Sequence, residues 1–433
     1  MTDFPKKCLS FGQLIKGFND AWVLPKDGRR QKSVHYSIRD AVLSGLACMF
    51  YKSGSMLAFQ NRMHKTYHKN NLQTQFGILK TPKDNRMREL VAIPKPESFR
   101  PVFKDYLQRL QRMNYLKHYQ VEGRYLLTID GTEYYRSTEV SCPCCLETES
   151  RGITSYTHKV VQPIISHPDL KQILPLMPEE ICHHDGDTKQ DSEINASKRL
   201  LDNIRTDHPR MRVIVMGDAL YANKPFIDKV RERDDKFIFR VKTGSHKYLH
   251  EAFDKAKQHT KEIVNDRGVR LIHKWSSGQL HKGTDIDVTV MRLYTVSTDK
   301  KGRQKSTLVG TWATDVVVDQ DNIVEMVKAA RARWKVENEA FNCLKNDGYN
   351  LTHNWGHVNG ESFNFYILVL LGFYLHQILE LSDQLYKKCR SMAHAAYALW
   401  EELRVLFNRF LYDSWEALLQ DFLRGFKTPS PPV

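Results

Sequence analysis

The sequence predicts an α/β protein: a mixed five-stranded sheet flanked by helices, with a β-rich insertion and helical regions at both ends. Three observations carry that expectation. Short apolar β-type runs alternate with helical stretches between Tyr125 and Val241. Residues 243–315 break that rhythm with charged connections and strand-like segments. Apolar residues recur at helical spacing near the start and again beyond residue 360. The chain divides accordingly into a helical N-terminal region at 1–120, a first part of the core at 121–242, the insertion at 243–315, a second part of the core at 316–380, and a helical C-terminal region at 381–433.

Residues 1–35 are polar and basic and carry little pattern. Ser37-x-x-Asp40 then resembles a capping box, with Ile38, Val42, Leu46 and Met49 following at helical spacing. Ser53-Gly54-Ser55 marks a turn, and Met56–Tyr67 is a second helix rich in Arg, Lys and His. A third helix is expected over Ser98–His118. Tyr125–Ile129 is an apolar strand that ends in Asp130-Gly131-Thr132. Tyr156–Ile165 and Gln172–Met177 read as two further strands, and the three suggest a meander. Ser192–Thr206 reads as a helix. Arg212–Met216 is a fourth strand and delivers a second acid, Asp218, just past its end. Asn223 and Pro225 suit the first turn of a helix running to Arg233. Phe237–Val241 is the fifth strand, and Val269–Trp275, Asp287–Ser297 and Ser306–Thr314 supply the β character of the insertion.

The segment from Ala329 to His357 reads as a helix with Val327, Ala330, Trp334, Phe341 and Leu344 on one stripe. Glu337 falls on that stripe, and Arg333 and Lys345 on its margins. A carboxylate there must be paired, protonated or metal-bound. Beyond it, a buried helix is expected over 363–380, then helices at Met392–Phe410 and Trp415–Phe426, with a frayed Pro-rich tail.

Of 433 residues, 65 are Lys or Arg and 50 are Asp or Glu, giving a net charge of +15. That excess points to a polyanionic partner, nucleic acid first. A basic helix after a Gly-containing turn is compatible with a DNA-binding helical region at 1–120. The most apolar run, Phe365–Leu375, is too short for a bilayer that needs about 20 residues, so no membrane partner is expected. The start lacks an apolar signal segment, and the expected location is the cytoplasm, on DNA there.

Three acids at the ends of separate elements can meet at one sheet edge. Hard oxygen ligands suit Mg²⁺ or Mn²⁺. Two such ions about 3.5–4 Å apart activate a water or 3′-hydroxyl and stabilise the leaving oxygen in phosphodiester cleavage. In this order, TIDGTEY around Asp130, VMGDALYANKPF around Asp218 and RARWKVENEAFNCLK around Glu337 resemble the DDE transposases of bacterial insertion sequences, which have an RNase H-like catalytic core. The closest likeness is to the group related to insertion sequence four, in which a β-rich insertion precedes the catalytic Glu, and it spans roughly residues 120–380. The resemblance implies that Asp130, Asp218 and Glu337 are catalytic and hold two metal ions. It implies that Arg333 contacts DNA phosphate or orients Glu337, and that Lys345 contacts the DNA backbone. Asn338, Lys242 and His353 join them as residues expected to contact DNA or support the acids. It further implies double-stranded DNA partners (terminal inverted repeats and a target) and a homodimer in a synaptic complex.

The chain departs from the pattern twice. Ala330 stands where the signature has Tyr, and Lys345 lies one residue farther from Glu337 than usual. A hairpin step at the transposon end is therefore not carried over. Two other readings stay open: an RNase H-like metal-dependent DNA nuclease that cannot join strands, and an inactive descendant that only binds DNA.

Cys142-Pro143-Cys144-Cys145 has Cys-x-x-Cys spacing, and His158 or Cys182-His183-His184 could complete a structural Zn²⁺ site. With no second Cys-x-x-Cys it is half a site, and reduced thiols in a loop are the favoured reading. Asp185, Asp187, Asp191 and Glu193 fit a solvated loop leading into a helix N-terminus. His353, Asn354, Trp355 and His357 could contact DNA or pack against the fold. Trp275 and Trp312 could stack on a base but suit a β core better, and Lys242, Lys247 and Lys255 could meet phosphate.

Overall fold

The computed structural model describes residues 8–30, 34–64, 70–182, 192–280, 286–298, 302–357 and 361–425. It is a mixed α/β protein built on one large sheet. The N-terminal helices are α1 (Phe11–Ala21), α2 (Ile38–Phe50), α3 (Met56–His64), α4 (Asn71–Phe76), α5 (Asp84–Val91) and α6 (Arg100–Arg112). Ser37 caps α2 as its spacing predicts, accepting from the Asp40 amide at 2.9 Å. The stretch taken as patternless contains α1, which buries Phe11, Leu14, Ile15 and Phe18 on one face.

Next come β1 (Gln120–Val121), β2 (Arg124–Ser137), β3 (Leu146–Ser150), β4 (Ile153–Ser166), β5 (Leu174–Pro175) and β6 (Glu179–Ile181). Helix α7 (Glu193–Asp207), β7 (Val213–Gly217), α8 (Lys224–Arg231) and β8 (Lys236–Arg240) follow the expected alternation. Ser192 and Asn223 cap α7 and α8 through their side chains. The insertion folds as α9 (Lys247–Lys255), β9 (His259–Val264), β10 (Arg270–Leu280), β11 (Asp287–Thr298) and β12 (Gln304–Thr314). Helix α10 (Ile323–Arg331) leads to a π-helical segment, Val336–Asn342, and to α11 (Cys343–Asn346). The chain ends with α12 (Glu361–Ser382), α13 (Gln384–Met392), α14 (Ala396–Arg409) and α15 (Trp415–Gly425).

The sheet departs from the expected five strands. It has 12 strands, nine of them in the order β3-β4-β2-β7-β8-β12-β11-β10-β9. Strands β2, β7 and β8 run parallel, and β4 lies antiparallel to β2. The insertion does not stand apart from this core. Its last strand, β12, pairs antiparallel with β8 at Trp312↔Arg240, Ala313↔Phe239 and Thr314↔Ile238, so its strands continue the same sheet. The reason is the edge: β8 would otherwise leave a row of unpaired backbone groups.

Two hydrophobic cores form around the sheet. Trp275 and Trp312 sit in a smaller core with Met326, Val327 and Ala330 of α10. The larger core joins the N-terminal helices to α12. Helix α12 is apolar all round, and 78% of its most apolar window is buried, as expected of a core helix. Every residue of α2 except Arg39 is buried against it and its neighbours. A Cβ on Gly372 would lie 3.2 Å from the Met49 and Phe50 backbone, so α2 and α12 cross in close contact.

Candidate functional site

Register places the first two acids. Parallel pairing of β2 with β7 aligns Thr128 with Met216. Two residues on from that pair come Asp130, within β2, and Asp218, one residue past the end of β7. Asp130 does not end its strand, contrary to the sequence expectation: β2 continues to Ser137, paired with β4, and Asp130 stands opposite Gln162. What ends there is β7, at Gly217. The Asp218 carboxylate then accepts from the Leu220 amide at 2.7 Å and turns the chain outward.

The helical segment places the rest. Arg333 lies buried between two acids, with Nη1 3.3 Å from Asp130 Oδ2 and Nη2 2.8 Å from Glu337 Oε1. The expected continuous helix from Ala329 to His357 is broken; Val327, Ala330, Phe341 and Leu344 of the expected stripe are buried, but the residues around the break depart from it. Arg333 is buried, whereas Glu337 and Trp334 are exposed, Trp334 by 53%. The cause for Arg333 and Trp334 is the turn at 332–333 that ends α10; beyond it the π-helical segment wraps more residues per turn than an α-helix and re-aims Glu337.

A fourth acid joins them. Glu193, at the start of α7, accepts from the Tyr221 hydroxyl at 2.7 Å. Tyr221 in turn meets the Ser197 hydroxyl at 3.3 Å. A Cβ on Gly131 would overlap the Glu193 carboxylate, so this glycine permits the approach. Burial, then the charges of Glu193, Glu337 and Asp218, push the Asp130 carboxyl up to about 7 against the pull of Arg333. Burial also raises Glu193. Lys242 Nζ reaches to 3.8 Å from Asp218 Oδ2.

The other candidates scatter. Asn338 is exposed and Lys345 half-buried, both beyond Glu337 on the same segment. His353 is exposed, with its ring edge-on to Trp355 at 4.6 Å. Trp275 and Trp312 are core residues, so neither offers a free ring face to a base. His183, His184, Asp185, Asp187 and Asp191 lie outside the described residues. Sequence reasoning missed the site role of Glu193, because an acid in the first turn of a helix is expected on electrostatic grounds alone. It missed Tyr221, which stands three residues after Asp218 and gives no separate signal.

Arg333 keeps the carboxylates of Asp130 and Glu337 on either side of its guanidinium. Among the described residues, the set of His, Cys, Asp and Glu whose ligand atoms all lie within 4.8 Å of one another is a different one: Cys142, Cys145, His158 and His357. Cys142 and Cys145 thus gain both the His158 partner the sequence offered and His357, which had been read as packing or DNA contact. The chain matches no protein-family model and none of the curated proteins.

Proposed function

We propose that this chain is a DDE transposase with an RNase H-like core, performing metal-dependent DNA cleavage and strand transfer at the terminal inverted repeats of an insertion sequence. The observation that carries the reading is the parallel pairing of β2 with β7, which brings Asp130 and the residue just past β7, Asp218, to the same end of neighbouring strands, with Arg333 linking Asp130 to Glu337.

The donor set fits hard divalent cations. Its oxygens are carboxylates, and burial, then repulsion from the neighbouring acids, resists ionisation of Asp130. Asp130, Asp218 and Glu337 would hold Mg²⁺ or Mn²⁺, with Glu193 close by. When bound, a pair of such ions supplies nucleophile activation and leaving-group stabilisation. The chain's own residues do the positioning. Arg333 offsets the carboxylate charge and offers a fork matched to phosphate or carboxylate. Tyr221 fixes one Glu193 oxygen.

A basic groove supports a DNA partner. Arg240, Lys328, Arg331 and Lys335 line it with Asp169 and the exposed Trp334, next to Arg333 in sequence. Cations can track phosphates there, and the Trp334 ring can stack on an unpaired base. Action on paired ends would place the protein as a homodimer at the bacterial nucleoid, in the cytoplasm.

The test incubates the full chain with labelled element ends, a target plasmid and Mg²⁺ or Mn²⁺. Wild type is expected to nick the ends and join them to the plasmid. Asp130→Asn, Asp218→Asn and Glu337→Gln should each lose about 100-fold or more in cleavage rate while still binding DNA. Equal cleavage by Asp130→Asn overturns the assignment. Cleavage without joining would favour a nuclease, and binding without cleavage an inactive descendant.

A further inference from the structure

We infer that Cys142, Cys145, His158 and His357 form a structural zinc site that fastens the strand carrying Asp130 to the segment that follows Glu337. The geometry carries this independently of the reaction proposed above. The Cys145 amide donates to the Cys142 carbonyl at 3.0 Å and closes a turn that sets both thiols on one side. Cys142 Sγ lies 3.8 Å from Cys145 Sγ and 3.3 Å from His158 Nε2. Cys145 Sγ lies 3.6 Å from His158 Nε2 and 3.4 Å from His357 Nε2.

A zinc tetrahedron with bonds of about 2.3 Å to sulfur and about 2.0–2.1 Å to nitrogen has edges of about 3.8 Å between sulfurs and about 3.6 Å between sulfur and nitrogen. The four side chains already stand at those spacings. The two sulfurs are far beyond the roughly 2.05 Å of a disulfide, and all eight cysteines of the chain are free thiols.

The surroundings fit a closed structural site. Cys145, His158 and His357 are almost fully buried. The far ring nitrogen of His158 faces Glu180 Oε1 at 3.5 Å, the kind of carboxylate partner that orients a metal-bound imidazole. The Tyr135 ring stacks on His357 at 4.2 Å between centroids. Two thiolates and two imidazoles select zinc over magnesium, manganese or calcium. Cys144, between the two ligating cysteines, is outside the set.

The site is long-range in sequence. Cys142 and Cys145 sit between β2 and β3, His158 on β4, and His357 twenty residues past Glu337. One ion would therefore tie the β2–β4 hairpin to the exit of the helical segment.

The experiment uses the full chain, purified without chelators. Elemental analysis should give about one zinc per chain, and blocking the thiols with an organomercurial should release it to a colorimetric zinc indicator. Cys145→Ser and His357→Asn should retain little zinc, while Cys144→Ser should retain it fully. His357→Cys guards against mere misfolding: it should still bind zinc, and its Co²⁺-substituted form should show a stronger sulfur-to-cobalt charge-transfer band than wild type. Zinc-free protein that also takes up none on addition overturns the proposal. Stoichiometric iron in its place, or full zinc retention in both Cys145→Ser and His357→Asn, overturns it equally.

Discussion

Asp130 is held where ionisation is resisted, and that has a consequence for stability. Its folded-state pKa is raised from the ordinary 3.8 to about 7, first by burial and then by neighbouring acids. The folded protein therefore binds this proton more tightly than the unfolded chain does. The associated stability is fully present below about pH 4 and is lost as pH rises through about 7. Asp130→Asn, which removes the charge, should raise the melting temperature of metal-free protein at pH 8, and the gain should vanish near pH 4. Mg²⁺ should raise the wild-type melting temperature at pH 8 and the variant's by less; thermal scans at the two pH values check both. Trp334 invites a second substitution. Trp334→Ala should weaken single-strand DNA binding by about 1–3 kcal/mol in a fluorescence titration, with little loss of fold, because the ring is exposed. At this scale the two aspartates stood out because each closes an apolar run beside a glycine. Glu193 was not, since only the tertiary approach across Gly131 distinguishes it from an ordinary capping acid.

Among the elements, strands and capped helices were legible where the local signal and the fold agree. Helix α12 announced itself by its apolar run, and α8 by Asn223 and Pro225. The segment around Glu337 misled because periodicity assumes 3.6 residues per turn, and the π-helical stretch does not obey it. Trp334, expected on the apolar stripe, is exposed and Arg333, expected at its margin, is buried, because the helix breaks at 332–333, before the π-helical stretch begins. Strand β2 was cut short at Asp130 because a Gly after an acid usually signals a turn, yet pairing with β4 carries it on. The α2–α12 crossing offers the element's own test. Gly372→Ala forces a Cβ against backbone that has no rotamer to yield. It should destabilise the protein by about 1–3 kcal/mol in denaturant unfolding, whereas Gly12→Ala, with open space around it, should not.

For the molecule as a whole, the charge balance and the α/β alternation were legible, but the sheet's extent was not. Strand-like runs in 243–315 say nothing of which edge they seek, and only the pairing of β12 with β8 unites them with the core. Nor could spacing alone bring His357 to Cys145 across 212 residues. The net charge of +15 yields an expectation of its own. If the four cations of the basic groove each meet a phosphate, the slope of log affinity against log salt should be about −3.6 or steeper. A binding series in increasing KCl measures it, and Lys328→Ala with Lys335→Ala should flatten the slope by about 2.

The π-helical turn has a further meaning for how such a chain can change length. A π turn is what a helix becomes when one residue is inserted and the flanking turns keep their places. Lys345 sits one residue farther from Glu337 than the signature it resembles, and Val336–Asn342 lies across that interval. Such a bulge can take up one residue more or fewer while α10 and α11 stay anchored through Val327 and Leu344. Deleting Asn338 or Glu339, both at least partly exposed, should relax the bulge to an ordinary helix at little cost in stability. Lengthening and shortening at this spot would then be reversible without disturbing the flanking turns.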